Sequence, residues 1–277
     1  MITNRSSRPY NVLVALDGSA AAATAIALAR LVASQLGAGV EVLHVVPPTG
    51  EPPLPDAAGL RVRRVAGDPA DEIVRVANDP AVALVVLTTH GHTVTPGARL
   101  GHVAEHVIAT SAVPLLLVRP EAAAQLHVRP LRRLLVPLDG TPSTARALHD
   151  IATLVRRLAA SLDVLLVGAR GTHAMERGSI GVPRYIDQPQ HEWPWWADEV
   201  YERLCVCCAG LGAGIPTQVF VAHGTIGDEV IRIATAHQYD AIVLVRRSHL
   251  EPGRARVLRD VLARTPCPIL LVGTPSR

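Results

Sequence analysis

The chain repeats itself, and that repetition constrains its fold more than any other feature. NVLVALDGS over residues 11–19 returns as RLLVPLDGT over 133–141, GDPADEIVRVA over 67–77 returns as GTIGDEVIRIA over 224–234, and SAVPLLLV over 111–118 returns as TPCPILLV over 265–272. Three matches in one order mean two copies of a single fold, joined near residues 119–131. In 277 residues each copy has room for its own core. The expected domains are residues 9–120 and 131–277.

Within each copy, short apolar runs alternate with helical patterns. Val12 to Leu16 stops at Asp17-Gly18, and Ser19 is suited to cap an Ala-rich helix that ends near Gly37. Thr141-Pro142 repeats that start, with proline at the first helical position. Strand patterns follow at Val40 to Val46 and Arg61 to Ala66, then a helix opened by Asp68-Pro69, a strand at Leu84 to Leu87, a helix from about Gly101 and a strand at Pro114 to Val118. Such alternation predicts an α/β fold, a parallel sheet with right-handed crossovers. Apolar residues at 49% with only 3% aromatics require cores of Val, Leu, Ile and Ala, which suits a sheet covered by helices. The copies differ after their second strands. The first has only the proline-rich PPTGEPPLPDAAGL, whereas the second carries an insertion over residues 170–212 with a helix expected from Pro194 to about Leu211.

Several function classes drop out. The chain contains no lysine, which excludes the Lys-dependent phosphate loop, Schiff-base chemistry and a lysine general base. A formal charge of +3, spread along the chain, argues against nucleic acid as a partner. No apolar stretch reaches the roughly 18–20 residues that cross a bilayer, and the amino terminus lacks a signal-peptide core, so a cytoplasmic protein without membrane contact is expected. No G-x-S-x-G elbow appears, and the acidic pairs Asp71-Glu72 and Asp228-Glu229 sit at helix starts, where they favour the helix dipole. No catalytic residue is therefore nominated, and slow ATP hydrolysis is the most enzymatic behaviour expected.

The segment THGHTVTPGARLGH, residues 89–102, follows the fourth strand of the first copy. In a parallel sheet it falls beyond the carboxyl ends of the strands, where ligands bind. With VALDGS after the first strand, VLHVV in the second, the GDPADEIV turn, THG before the loop and VPLLLV at the end, the chain resembles the universal stress protein family in its tandem two-domain form. The resemblance covers nearly the whole sequence. It implies two Rossmann-like domains of the adenine-nucleotide alpha-hydrolase type, each a five-stranded parallel sheet flanked by helices. The closing strands resemble the segments through which family members dimerise, which implies that the copies pair as a pseudo-dimer and leaves a further homodimer open.

Family members that bind ATP carry a Gly, two residues, a Gly, nine residues, then a Gly followed by Ser or Thr. Here the corresponding residues are Thr88, Gly91, Gly101 and His102; the spacing is kept, while the first glycine and the final hydroxyl are replaced. Glycines let backbone N–H groups approach phosphate oxygens, and the following helix adds its dipole. The resemblance implies that Asp17 and Ala15 meet the adenine and ribose end and that Val45 lines the base pocket. The first copy is thus expected to bind ATP, with Mg2+, or another adenine nucleotide. The alternative is a nucleotide-free scaffold acting through protein contacts. The second copy keeps Asp139 and Val167 but has Ser248 and Ala255 at the loop glycines; Arg246, Arg247, Arg254 and Arg256 could there hold a smaller anion.

Other conspicuous residues have ordinary readings beside functional ones. His90, His92, His102 and His106 suggest a metal by spacing, but no Cys or carboxylate completes a recognised pattern, and no metal site is assigned. Cys205, Cys207 and Cys208 on one helix make poor zinc geometry and read as reduced, buried thiols. Trp193, Trp195 and Trp196 anchor the inserted helix or form a lid or partner surface.

Overall fold

A computed structural model describes residues 10–16, 22–46, 57, 59–89, 100–119, 128–138, 142–168, 215, 218–246 and 252–273. The insertion over 170–212, with its expected helix, its tryptophans and its Cys205 to Cys208 cluster, lies outside them. The chain divides into two compact units, residues 1–130 and 131–277.

The first unit runs β1 (Asn11–Leu16), α1 (Ala22–Leu36), β2 (Gly39–Val46), β3 (Arg61–Ala66), α2 (Pro69–Ala77), β4 (Val82–Thr88), α3 (His102–Thr110) and β5 (Leu115–Val118). Its strands lie in the order β3-β2-β1-β4-β5, all parallel. Right-handed crossovers place α1 on one face and α2 and α3 together on the other. The packing agrees, since α1 lies against β1, β2 and β4 while α2 and α3 pack on each other. The second unit repeats the plan with β6 (Arg133–Leu138), α4 (Pro142–Arg157), β7 (Ser161–Gly168), β8 (Val219–His223), α5 (Ile226–Ala236), β9 (Ala241–Arg246), α6 (Pro252–Arg264) and β10 (Ile269–Gly273). Its order is β10-β9-β6-β7-β8, again parallel.

The core follows from the apolar runs. Leu13, Val14, Leu43, Val85 and Leu116 are fully buried in the first sheet, as are Leu135, Val136, Val164 and Val243 in the second. The edge strand β3 carries Arg61, Arg63 and Arg64, charges that discourage a further strand from pairing there. Among the described residues, no helix is long and apolar enough to cross a membrane.

The repeat extends to turn geometry. Gly67 before α2 and Gly224 before α5 hold φ at 148° and 144°, backbone that side chains with a Cβ rarely adopt. The caps that follow differ. Asp68 Oδ1 accepts the N–H groups of Ala70 at 2.9 Å and Asp71 at 3.2 Å, whereas Thr225 makes no side-chain cap bond. Asp68→Ala is therefore expected to destabilise its unit by about 1 kcal/mol, and Thr225→Ala by only a few tenths, in urea denaturation.

Candidate functional site

Where the strand order of an open parallel sheet reverses, a crevice opens beyond the carboxyl ends of the strands. In the first unit that point lies between β1 and β4. Ala15 is registered with Leu43 on one side and Leu87 on the other, and Val45 stands two residues beyond Leu43. Alternation along a strand puts Ala15 and Val45 on the same face, both buried near the strand ends. Thr88 directly follows Leu87, so its buried side chain belongs to the opposite face. The structure thus unites Ala15 and Val45 but does not bring the Thr88 side chain to them.

The loop is tied at its root. The Thr89 N–H donates to the Val118 carbonyl at 2.9 Å, and the Thr89 carbonyl accepts the Gly101 N–H at 2.9 Å. Gly101 is the N-cap of α3 with φ −73° and ψ 150°, an extended conformation open to any residue. Its amide is already engaged. The first-turn amides of His102, Val103 and Ala104 point beyond the helix start, where an α-helix leaves its donors unsatisfied by its own carbonyls. Gly101 offers them no side-chain cap. His102 is exposed. Asp17 and Gly91 lie outside the described residues, as do His90 and His92.

His106 Nε2 lies 3.4 Å from Asp71 Oδ1 across the α2–α3 contact. Among the described residues, no three His, Cys, Asp or Glu side chains cluster so as to hold a metal ion. On α2, Glu72 accepts from Arg75 Nε at 2.9 Å, and this hydrogen bond holds the Glu72 carboxyl below its usual range.

In the second unit Val245 is registered with Val272 as Thr88 is with Val118, so Arg246 stands where the first unit has Thr89. Arg246 is buried, and desolvation pulls its guanidinium below its ordinary pKa. Val167 is half-buried in β7. Arg254, Ala255 and Arg256 fall in the first turns of α6. Asp139, Arg247 and Ser248 lie outside the described residues.

At the amino ends of the strands the structure holds polar groups that sequence reasoning missed. In the second unit Asp163 is buried; its Oδ2 accepts the Tyr239 hydroxyl at 2.6 Å and its Oδ1 accepts the Gln218 N–H at 2.9 Å. The Arg133 guanidinium stands 3.7 Å from Asp163 and 4.9 Å from the centre of the Tyr239 ring. Burial first, then the bond to Asp163, pushes the Tyr239 hydroxyl well above its ordinary pKa. Glu41 is the buried counterpart in the first unit. The repeat carried a usable signal, because Glu41 and Asp163 are acids at equivalent places in largely apolar strands. His44 is also fully buried, and neither ring nitrogen has a hydrogen-bond partner among the described residues.

Residues 55–119 and 130–273 match the model of the universal stress protein family. A universal stress protein of Methanocaldococcus jannaschii is 40% identical over 55 residues, which cover 20% of this chain and 34% of that relative. The match thus spans about a third of the curated relative's length. Among solved structures, a universal stress protein of Archaeoglobus fulgidus is similar over 96% of this chain and 98% of its own, with a TM-score of 0.65 and 17% identity. A functionally unknown protein of Pseudomonas aeruginosa is similar over 96% and 93%, with a TM-score of 0.58 and 13% identity. At such identities the likeness to solved structures is one of fold.

Proposed function

The chain belongs to the universal stress protein family, and from that premise we propose that its first unit binds an adenine nucleotide, ATP with Mg2+ foremost, as a non-catalytic stress-response module. The observation that carries this reading is the amino end of α3, which follows the strand-order reversal and meets the sheet through the Thr89–Gly101 hydrogen bond. A helix start of this kind attracts anionic groups through its amides and its dipole. Ala15 and Val45 line the base, Asp17 meets the ribose or the accompanying metal, and the segment from Thr88 through Gly91, Gly101 and His102 surrounds the phosphates. Because the Gly101 amide is engaged with Thr89, the helix donors offered to phosphate are those of His102, Val103 and Ala104. The replaced hydroxyl at His102 is thereby less damaging than its side chain suggests, since a backbone N–H does that work.

The second unit is read as holding no triphosphate in the same manner, with the buried Arg246 in place of Thr89. Calorimetric titration with ATP, ADP and AMP, each with Mg2+, tests the proposal. Binding is expected, and Gly101→Leu, which the backbone at that position tolerates, is expected to weaken it by at least about tenfold without unfolding the protein. Flat titrations with all three nucleotides would overturn the reading and favour a scaffold that works through protein contacts.

A further inference from the structure

We infer that the first unit carries another small-molecule site, at the amino ends of its strands, for a planar aromatic ligand bearing a hydroxyl donor and an anionic group. A cavity of about 300 Å³ is lined there by Asn11, Glu41, Arg61, Arg63, Asp79 and Val82, with Ala81. Asn11, Arg61 and Val82 open β1, β3 and β4, so the cavity sits at the end of the sheet opposite the α3 amino end. Its size falls in the range of small-ligand pockets.

The second unit shows what such a place accommodates. Leu13 is registered with Glu41 as Leu135 is with Asp163, which makes the two carboxylates equivalent. Val82 precedes Leu84 by two residues as Tyr239 precedes Ala241, and Leu84 and Ala241 are themselves registered with the equivalent Val12 and Leu134. Asn11 corresponds to Arg133. In the second unit, then, a phenol ring fills the position, its hydroxyl donates to the carboxylate at 2.6 Å, and a guanidinium lies over its face. In the first unit valine replaces the tyrosine and the space is open. The Glu41 side chain is only 9% exposed, and its ion-pair contact is Arg61 Nε at 3.9 Å, beyond hydrogen-bond range. A carboxylate with this little access to water gains from a further donor.

A ligand hydroxyl supplies that donor. Arg61 and Arg63 stand on the neighbouring strand at the cavity wall. Guanidinium groups both stack on aromatic faces and bind carboxylates, so together they take the ring and its anionic substituent.

The test uses the full chain and 4-hydroxyphenylacetate as probe, followed by ligand-observed NMR and calorimetry, with saturating AMP present and absent. Binding unaffected by AMP is expected. Phenylacetate, which lacks the hydroxyl, and the Glu41→Gln variant are each expected to lose about tenfold in affinity, the worth of one hydrogen bond to a charged group. Val82→Tyr is expected to abolish binding by filling the cavity with the chain's own ring. Absence of binding at millimolar probe, equal binding of phenylacetate, tighter binding of the cationic tyramine, displacement by AMP or indifference to Val82→Tyr would each overturn the assignment. The phenylacetate, tyramine, Glu41→Gln and Val82→Tyr outcomes do not depend on whether a nucleotide binds at α3.

Discussion

Asp163→Ala is expected to destabilise the second unit by about 3 kcal/mol, far more than a typical surface substitution. The carboxylate satisfies two donors at once, the Tyr239 hydroxyl at 2.6 Å and the Gln218 N–H at 2.9 Å, and both bonds are charge-assisted. Removing it strands a hydroxyl on a ring that is 2% exposed. A buried donor left unmatched costs about 1–3 kcal/mol, and a hydrogen bond to a charged group contributes about 1.5–3 kcal/mol. Arg133 adds little to the total, because its side chain is 44% exposed and screened by water. Urea denaturation measures the loss; a change under about 1 kcal/mol would mean that water replaces the carboxylate at no cost.

The same network sets an alkaline limit. Tyrosine ordinarily ionises near pH 10.0, and burial with the Asp163 bond raises Tyr239 above that value. An unfolded chain therefore sheds this proton at lower pH than the folded one. The stabilisation is fully present below pH 10 and is lost as pH rises through the folded-state value. Denaturation midpoints compared between the parent chain and Tyr239→Phe across that window separate this contribution from those of the other tyrosines.

Leu13→Ala and its counterpart Leu135→Ala are expected to cost about 3–4 kcal/mol each, and to match one another. Both side chains are 0% exposed in central strands, where truncation loses the transfer free energy of the removed carbons and leaves a cavity that packed neighbours cannot close. A substitution on the exposed side of α1, Ser34→Ala, is expected to stay within about 0.5 kcal/mol. Urea titrations of the three variants check the ranking. Unequal values for the two leucines would show that the copies pack their cores differently despite their shared pattern.

How legible this molecule is from its sequence depends on the distance over which each feature is encoded. Strands such as Val12 to Leu16 and the helix opened by Asp68-Pro69 are written in contiguous residues, and the structure has them as β1 and α2. The position of the 89–102 segment beyond β4 follows from strand alternation alone. Which side chains converge there is another matter. Thr88 and Ala15 sit on opposite faces because of inter-strand register, and the Gly101 amide is engaged because Thr89 comes back to it across the loop. Neither fact resides in a local motif. The amino-end network is further from view, since Arg133, Asp163, Gln218 and Tyr239 come from four places in the chain and Asp163 reads, in SLDVLLV, as an ordinary polar position on a strand. The repeat could have exposed it, by asking why two acids persist at one buried place.

The pinched neck between Thr89 and Gly101 makes the stretch it encloses an exchangeable cassette. With both flanks fastened to the scaffold by their own main-chain atoms, whatever is spliced between them inherits a fixed entry and exit, and doubling its length would add only about 0.6 kcal/mol of closure entropy. Grafts of foreign segments at this place should therefore leave the protein's melting behaviour nearly untouched.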